Sequence, residues 1–377
     1  MKALHVYRTY FPDSTGGIEE AIRQIALATA ALGVENTVFA LSTRPEPAEM
    51  VRPEARVVRE RSWAAPASCD LGGPAAFRRF AALARGADVV VYHYPWPLAD
   101  VLHAAVRPGA PAVMLYHSDI VRQRWLGMAY APLMRRTLRA MSAIVATSPA
   151  YARTSPVLTA PDLRDKVCVI PLGMGDDARD GPGDPAILAR LGLGEGEPFV
   201  LFVGVLRYYK GLHVLLQAAA SVGARIVIAG SGPKDAELRA QAARDGVGNV
   251  LFAGQVTDAE KTALFRHCRV FVLPSHLRSE AYGMVLVEAA MFGRPMVSCE
   301  VGSGTSFVNA HGESGLVVPP EDASALAAAL NTLLDDAALA ARYGREARAR
   351  YERLFSRSAL GRSYVELFER LRYRQLA

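Results

Sequence analysis

Two α/β domains, each a parallel sheet with helices on both faces, are what this chain predicts, and three observations say so. Its 377 residues exceed what one hydrophobic core ordinarily organises, and 51% of them are hydrophobic, enough for substantial burial and against disorder. Short apolar, β-rich runs alternate with longer segments of helical spacing, the pattern of parallel strands joined by helical crossovers. The rhythm stops in a stretch rich in Asp, Gly and Pro, residues 176–196, and then starts again.

In chain order, the first-half strands are expected at 3–7, 37–41, 57–59, 88–92, 112–116, 143–147 and 167–171. Ile18, Ala21, Ile22, Ile25, Ala26 and Thr29 have helical spacing, with Gly33 as the stop. Residues 176–196 read as an interdomain linker. Second-half strands fall at 199–203, 225–229, 249–252, 270–273, 295–298 and 315–318, with helices at about 211–221, 233–245, 258–267 and 284–292 between them. After Pro319-Pro320 the chain reads as helical almost to its end, with Asp322 as an N-cap and Leu326, Leu330, Leu333 and Leu334 as an apolar stripe. The expected division is a first domain over 1–175, a second over 190–355 and a closing basic amphipathic helix over 356–377.

The net charge is +6, and the whole excess lies before residue 171. Arg122, Arg124, Arg135, Arg136 and Arg139 interleave with Trp125, Leu126, Met128, Tyr130 and Leu133. That mixture suits an anionic lipid surface, and equally a solvated arginine face. No nucleic-acid-binding module accompanies the charge, so nucleic acid is not an expected partner. Cys69, Cys168, Cys268 and Cys299 lack C-x-x-C spacing and sit in or near apolar runs, which predicts reduced buried thiols. No H-E-x-x-H metal motif occurs. The start is too interrupted for a signal peptide, and no run reaches the roughly 18 apolar residues a bilayer span needs. The expectation is a cytoplasmic protein that does not cross a membrane, with a peripheral position at the inner face of the plasma membrane open to it.

The most telling stretch runs from Ser279 to Ala290, S-E-A-Y-G-M-V-L-V-E-A-A, followed by Gly293-Arg294-Pro295. A loop carries one carboxylate, Glu280. A glycine, Gly283, opens a helix that carries a second, Glu288, among apolar neighbours. A carboxylate there is costly unless something hydrogen-bonds to it, and ligand hydroxyls would supply those bonds. The unpaired N–H groups at the helix start favour an anion such as phosphate. Hydroxyls beside a phosphate describe a nucleotide-sugar.

On these residues the chain resembles the retaining glycosyltransferases of family GT4. The flanking Pro274-Ser275, the E-x7-E spacing and the E-A-A-M-x-G-x-P tail look like that family's donor-site signature. The resemblance covers nearly the whole chain. It implies the GT-B fold, two Rossmann-like domains facing across a cleft with the last helix crossing back to the first domain. In the first half and the S-E-A-Y-G loop it is closest to bacterial O-antigen and exopolysaccharide enzymes that transfer mannose or D-rhamnose.

Residue by residue, the resemblance implies the following. Gly16 and Gly17, after strand one, approach the donor phosphate; on residues alone they also read as a tight turn. His117, at a strand's carboxyl end, contacts the donor sugar; on residues alone it reads as a core or capping histidine, and His93 is a rival. The family's G-R-L-x-x-x-K-G loop aligns with Gly204 to Gly211. Lys210 is in register, while Val205 holds the arginine's place and Arg207 follows two positions later. Arg207 and Lys210 are assigned to the diphosphate, whose leaving charge they would stabilise. Val256, Asp258 and Lys261 match the base pocket and favour guanine; on residues alone Asp258 and Lys261 read as an ordinary helix start. Tyr282, Gly283, Met284 and Val285 flank the phosphate and sugar, Glu280 holds sugar hydroxyls and Glu288 the ribose. The implied partners are a nucleotide-sugar donor, favoured as a GDP-sugar, a glycan or lipid-linked acceptor, and an anionic membrane surface. No cofactor and no metal are expected. The alternatives are a nucleotide-sugar epimerase of the same fold and a non-catalytic nucleotide-sugar-binding protein.

Overall fold

The computed structural model describes residues 1–66, 70–119 and 124–376, without the side chains of 124–129 and 376. The chain divides into two units, Met1–Met174 with Arg357–Ala377, and Gly175–Ser356.

The first unit is built on β1 (Lys2–Val6), β2 (Glu35–Ser42), β3 (Glu49–Val51), β4 (Arg56–Ala64), β5 (Leu71–Gly72), β6 (Val89–Tyr94), β7 (Ala112–Tyr116), β8 (Ala143–Ala146) and β9 (Val167–Val169). They form one sheet in the order β3-β4-β2-β1-β6-β7-β8-β9, with β5 attached to β4. All pairings are parallel except those of β3 and β5 with β4. Those two short strands have no apolar run, and sequence periodicity does not find them. The helix Gly17–Ala30 packs its buried face against the final helix, Arg357–Leu376. Leu360, Tyr364, Leu367, Phe368 and Leu371 of that final helix share a core with Ile25, Ala28, Val91 and Val113. At Gly361 a Cβ would lie 2.5 Å from the Ala28 carbonyl oxygen, so only glycine allows this approach.

The second unit holds β10 (Phe199–Val203), β11 (Arg225–Ala229), β12 (Val250–Gly254), β13 (Val270–Leu273), β14 (Met296–Cys299) and β15 (Gly315–Val318). They form an all-parallel sheet in the order β12-β11-β10-β13-β14-β15. β10, β13 and β14 are buried along their whole length, which is why β10 and β13 read as unbroken apolar runs and β14 is interrupted only by Ser298. Residues 176–196 are not a free linker. They carry the short helices Asp177–Asp180 and Ala186–Arg190 and belong to the second unit. Arg348 grips both oxygens of Asp176 at 2.8 and 2.9 Å, and Arg190 bonds Glu260 at 2.6 Å. Cys168, Cys268 and Cys299 are free thiols, and burial pushes Cys268 and Cys299 up to about 12; Cys69 lies outside the described residues.

One polar chain crosses the core of the first sheet. His117, just past β7, bonds through Nε2 to His93 Nδ1 at 3.0 Å. His93 Nε2 meets His5 Nδ1 at 3.1 Å, and His5 Nε2 meets Asn36 Oδ1 at 3.3 Å. These residues sit on or at the end of four neighbouring strands, and all are buried. Desolvation lowers His5 and His117 to about 4 and His93 well below its usual range.

A base whose folded value is lowered takes up its proton only on unfolding. Between about pH 4 and 6.5 the unfolded chain holds up to three more protons on these rings. His103 and His276, also lowered, act in the same sense, and Asp100, raised to about 7 by burial, acts in the opposite one. Stability is therefore present above pH 6.5 and is lost on acidification, by on the order of 3 kcal/mol per pH unit near pH 5. Urea unfolding at pH 7.5 and 5.5 should show a clear loss at the lower pH; equal unfolding free energies would contradict the neutral burial of the three rings.

Candidate functional site

The site in the second unit begins with a glycine. Gly211 has φ +70°, and a Cβ there would lie 1.9 Å from the Pro274 carbonyl oxygen. This approach seats the loop after β10 on the end of β13 and delivers Lys210 to the following loop. Lys210 Nζ donates to Glu280 Oε2 at 2.5 Å, and Ser275 Oγ donates to the same oxygen at 3.0 Å. Both charged side chains are about nine-tenths buried. A pair so dry is tolerated because each charge has its partner, the carboxylate accepts an extra hydrogen bond from Ser275, and the ammonium lies 5.3 Å from the centre of the Tyr209 ring. Glu280 Oε1 has no bond within the chain.

Gly283 adopts φ +83° and serves as the N-cap of the helix Met284–Met291. A Cβ there would also press on Leu286 and Leu273 at 3.0 and 3.1 Å. The helix places half-buried Met284, Val285 and Glu288 on one side and buried Leu286, Val287, Ala289 and Ala290 on the other. The first amides of such a helix have no intrahelical partner and carry partial positive charge. Glu288 Oε1 accepts from Lys261 Nζ at 2.9 Å, and its second oxygen is unengaged within the chain. Each carboxylate thus has one oxygen tied to a lysine and one open.

Tyr282 is buried. A turn that sequence reasoning missed supports its loop: Ser303 Oγ donates to the Glu280 carbonyl at 2.6 Å and Gly304 N–H to the Ala281 carbonyl at 2.9 Å. A Cβ on Gly304 would be 2.6 Å from the Tyr282 ring. The Gly302-Ser303-Gly304 spelling is the available signal. Arg207 lies exposed at the start of the turn Tyr208–Lys210. Val256 is half-buried beside the capping box of the helix Asp258–His267, in which Thr257 and Glu260 satisfy each other. The Asp258 side chain is fully exposed, 3.8 Å from Lys261. Lys261 therefore belongs to Glu288 first.

In the first unit, Gly16 caps the helix Gly17–Ala30 with ordinary backbone angles, φ −96°. A Cβ on Gly17 would meet nothing within 4 Å, so the fold itself does not demand glycine there. Glu19, buried, accepts from Thr9 at 2.8 Å and Ser14 at 2.7 Å and ties the preceding loop to the helix. His117 and His93 are not rivals: they are consecutive members of the buried histidine chain, and His93 is 1% exposed. Arg135, Arg136 and Arg139 are exposed, Arg139 bonding Asp162 at 2.5 Å; Arg122 and the side chains of Arg124, Trp125, Leu126 and Met128 lie outside what is described.

Among the described residues one cluster has the make-up of a metal site. His213, His276 and Glu321 offer donor atoms within 4.8 Å of one another. Tyr208 stacks on His213 and stands edge-on to His276, so the same rings also pack as an aromatic cluster. No helix among the described residues is long and apolar enough to cross a membrane.

Comparison with known proteins identifies the family and the fold. Residues 184–350 match the family described as glycosyl transferases group 1, and 16–173 match the glycosyl transferase 4-like domain. The chain is 42% identical to the O-antigen chain mannosyltransferase C of Escherichia coli, over 98% of this chain and 99% of that one. It is 44% identical to the D-rhamnosyltransferase WbpZ of Pseudomonas aeruginosa, over 94% and 92%. Among solved structures, the sucrose-phosphate synthase of Thermosynechococcus elongatus superposes with a TM-score of 0.77 at 25% identity, covering 98% of both chains. WaaG, a glycosyltransferase of lipopolysaccharide biosynthesis, superposes at 0.66 and 17% identity over 97% and 99%, a likeness of fold. The chain belongs to the group 1 glycosyl transferases and is a glycosyltransferase of the GT-B fold.

Proposed function

We propose that this enzyme is a retaining hexosyltransferase. It would move a sugar of manno configuration from a GDP-linked donor to a glycan or lipid-linked acceptor in cell-surface polysaccharide synthesis. The observation that carries the reading is the pair of half-engaged glutamates. A lysine anchors one oxygen of each, and the other is open to accept from a hydroxyl. Glu280 takes the sugar hydroxyls and Glu288 the ribose. Two near-full-length relatives are named for mannose and D-rhamnose, which share configuration and differ only at C6.

The diphosphate rests on the amides of Gly283, Met284 and Val285, with Arg207 and Lys210 supplying positive charge and Gly16 and Gly17 admitting the phosphate closely. With that charge in place the reaction runs without a metal. The acceptor oxygen bonds to the anomeric carbon on the face from which the diphosphate leaves, and the departing phosphate oxygen takes the acceptor's proton. Configuration is retained with no enzyme nucleophile. His117 orients the sugar. Asp258, projecting from a helix start beside Val256, accepts from guanine N–H groups. The exposed Arg135 and Arg136 face an anionic lipid surface that carries the acceptor.

Glu280→Gln preserves acceptors for Lys210 and Ser275 while removing the charge that binds hydroxyls. Transfer measured as kcat/KM should fall roughly 100-fold, and wild-type transfer should persist in EDTA. Full activity of the variant, or abolition by EDTA, would contradict the mechanism.

In thermal-shift titrations GDP should raise the midpoint more than UDP, ADP or dTDP, because a ligand selective for the native state stabilises it. Gly17→Ala should leave the free protein's midpoint in place and shrink the GDP-induced rise. An equal response to every base would remove guanine, and an undiminished rise in Gly17→Ala would remove the close phosphate approach.

Binding to vesicles containing anionic lipid should weaken as salt rises from 50 to about 300 mM, as screening predicts. Binding indifferent to salt would leave Arg135 and Arg136 without a lipid role.

A further inference from the structure

The buried histidine chain has a direction, and it can be read from one end. Asn36 Nδ2 donates to the carbonyl oxygens of Ala26 at 2.9 Å and Val34 at 3.3 Å. Carbonyls only accept, so the amide cannot be turned over, and Asn36 Oδ1 must face His5. His5 Nε2 therefore carries the proton and donates to Asn36. A neutral imidazole has one N–H, so His5 Nδ1 is a bare lone pair. His93 Nε2–H donates to it, which leaves His93 Nδ1 bare, and His117 Nε2–H donates to that atom. Burial keeps all three rings neutral, with His5 and His117 near 4.

We infer that Asn36, His5 and His93 are positioning residues that hold His117 as its Nε2–H tautomer and present His117 Nδ1 as an acceptor to a substrate hydroxyl. His117 makes no other side-chain hydrogen bond within the chain, so Nδ1 is the atom left for a ligand. The partner it selects is an O–H, not a phosphate oxygen or a sugar ring oxygen, since those would set lone pair against lone pair. The chain cannot carry a proton away from the site, because it ends on an amide. His117 thus acts as an orienting acceptor and not as an acid. The stacking of His93 on His117, centroids 5.3 Å apart at 16°, holds the ring plane as well as its tautomer. Three histidines and one asparagine, far apart in sequence, fix one lone pair.

The inference rests on the proposal that His117 meets the sugar, and its first test does not. In the full-length protein with 15N-labelled histidine, two-bond 1H–15N spectra at pH 7.5 should show Nε2–H and an unprotonated Nδ1 on His5, His93 and His117, assigned by single His→Gln variants. A proton on His117 Nδ1, or averaging between tautomers, would overturn it whatever the enzyme's substrate. The second test reads the consequence. His93→Gln can accept from His117 and donate to His5, so it keeps the polarity; His93→Leu cannot. In His93→Leu the His117 tautomers should mix, and kcat/KM for transfer should fall roughly tenfold, the worth of one such bond. The preference for the natural donor over its singly deoxygenated analogues should collapse at one hydroxyl only. His93→Gln should restore both the tautomer and that preference. A uniform loss across all analogues in His93→Leu, unrescued by His93→Gln, would mean the chain serves packing alone. A correct tautomer with no hydroxyl preference at any position in the wild type would instead remove His117 from the sugar site.

Discussion

A buried lysine set 2.5 Å from a buried glutamate survives in a protein only where neither can be left alone, and Lys210 and Glu280 meet that condition. Around this pair the loop after β10 and the loop after β13 become one surface. Gly211 makes it possible by letting its backbone touch the Pro274 carbonyl, and Ser275 completes the glutamate's inner coordination. The outer oxygen of Glu280 is then held at a set place by an ion pair and not by a flexible side chain's own preference. Placement of that kind lowers the ordering a substrate must impose on binding. Glu288 repeats the arrangement on the next helix with Lys261, and the two lysines leave each carboxylate half committed.

Much of this was legible because the residues involved are local in sequence. The S-E-A-Y-G loop and its helix lie within thirteen residues, and Gly283 with φ +83° is the kind of position only glycine fills comfortably. The parallel strands announce themselves by unbroken apolar runs, which buried strands must have. What the sequence hid was pairing across long separations. Lys210 and Glu280 are 70 positions apart, and nothing in the spacing says that the cation assigned to a diphosphate would spend itself partly on a carboxylate. The 302–304 turn behind Tyr282 and the antiparallel edge strands β3 and β5 are short and carry no periodic signal. The 176–196 stretch has linker composition, yet Arg348 and Arg266 draw it onto the second unit.

The histidines show the same limit more sharply. His5, His93 and His117 each end up buried on or beside a strand, and each alone reads as a core residue. Only the strand order β2-β1-β6-β7 brings them and Asn36 into one line. Gly17 makes the opposite point. Its backbone is ordinary and its surroundings are open, so glycine there is unexplained by the fold.

The central claim is that the free oxygens of Glu280 and Glu288 receive the hydroxyls of one nucleotide-sugar whose diphosphate lies on the amides of Gly283 to Val285. A crystal structure of the full chain with a non-transferable GDP-mannose analogue tests it most directly. The account predicts Glu280 on sugar hydroxyls and Glu288 on the ribose, with both lysine pairs intact. A bound analogue that leaves both carboxylates in contact with Lys210, Ser275 and Lys261 alone would contradict it.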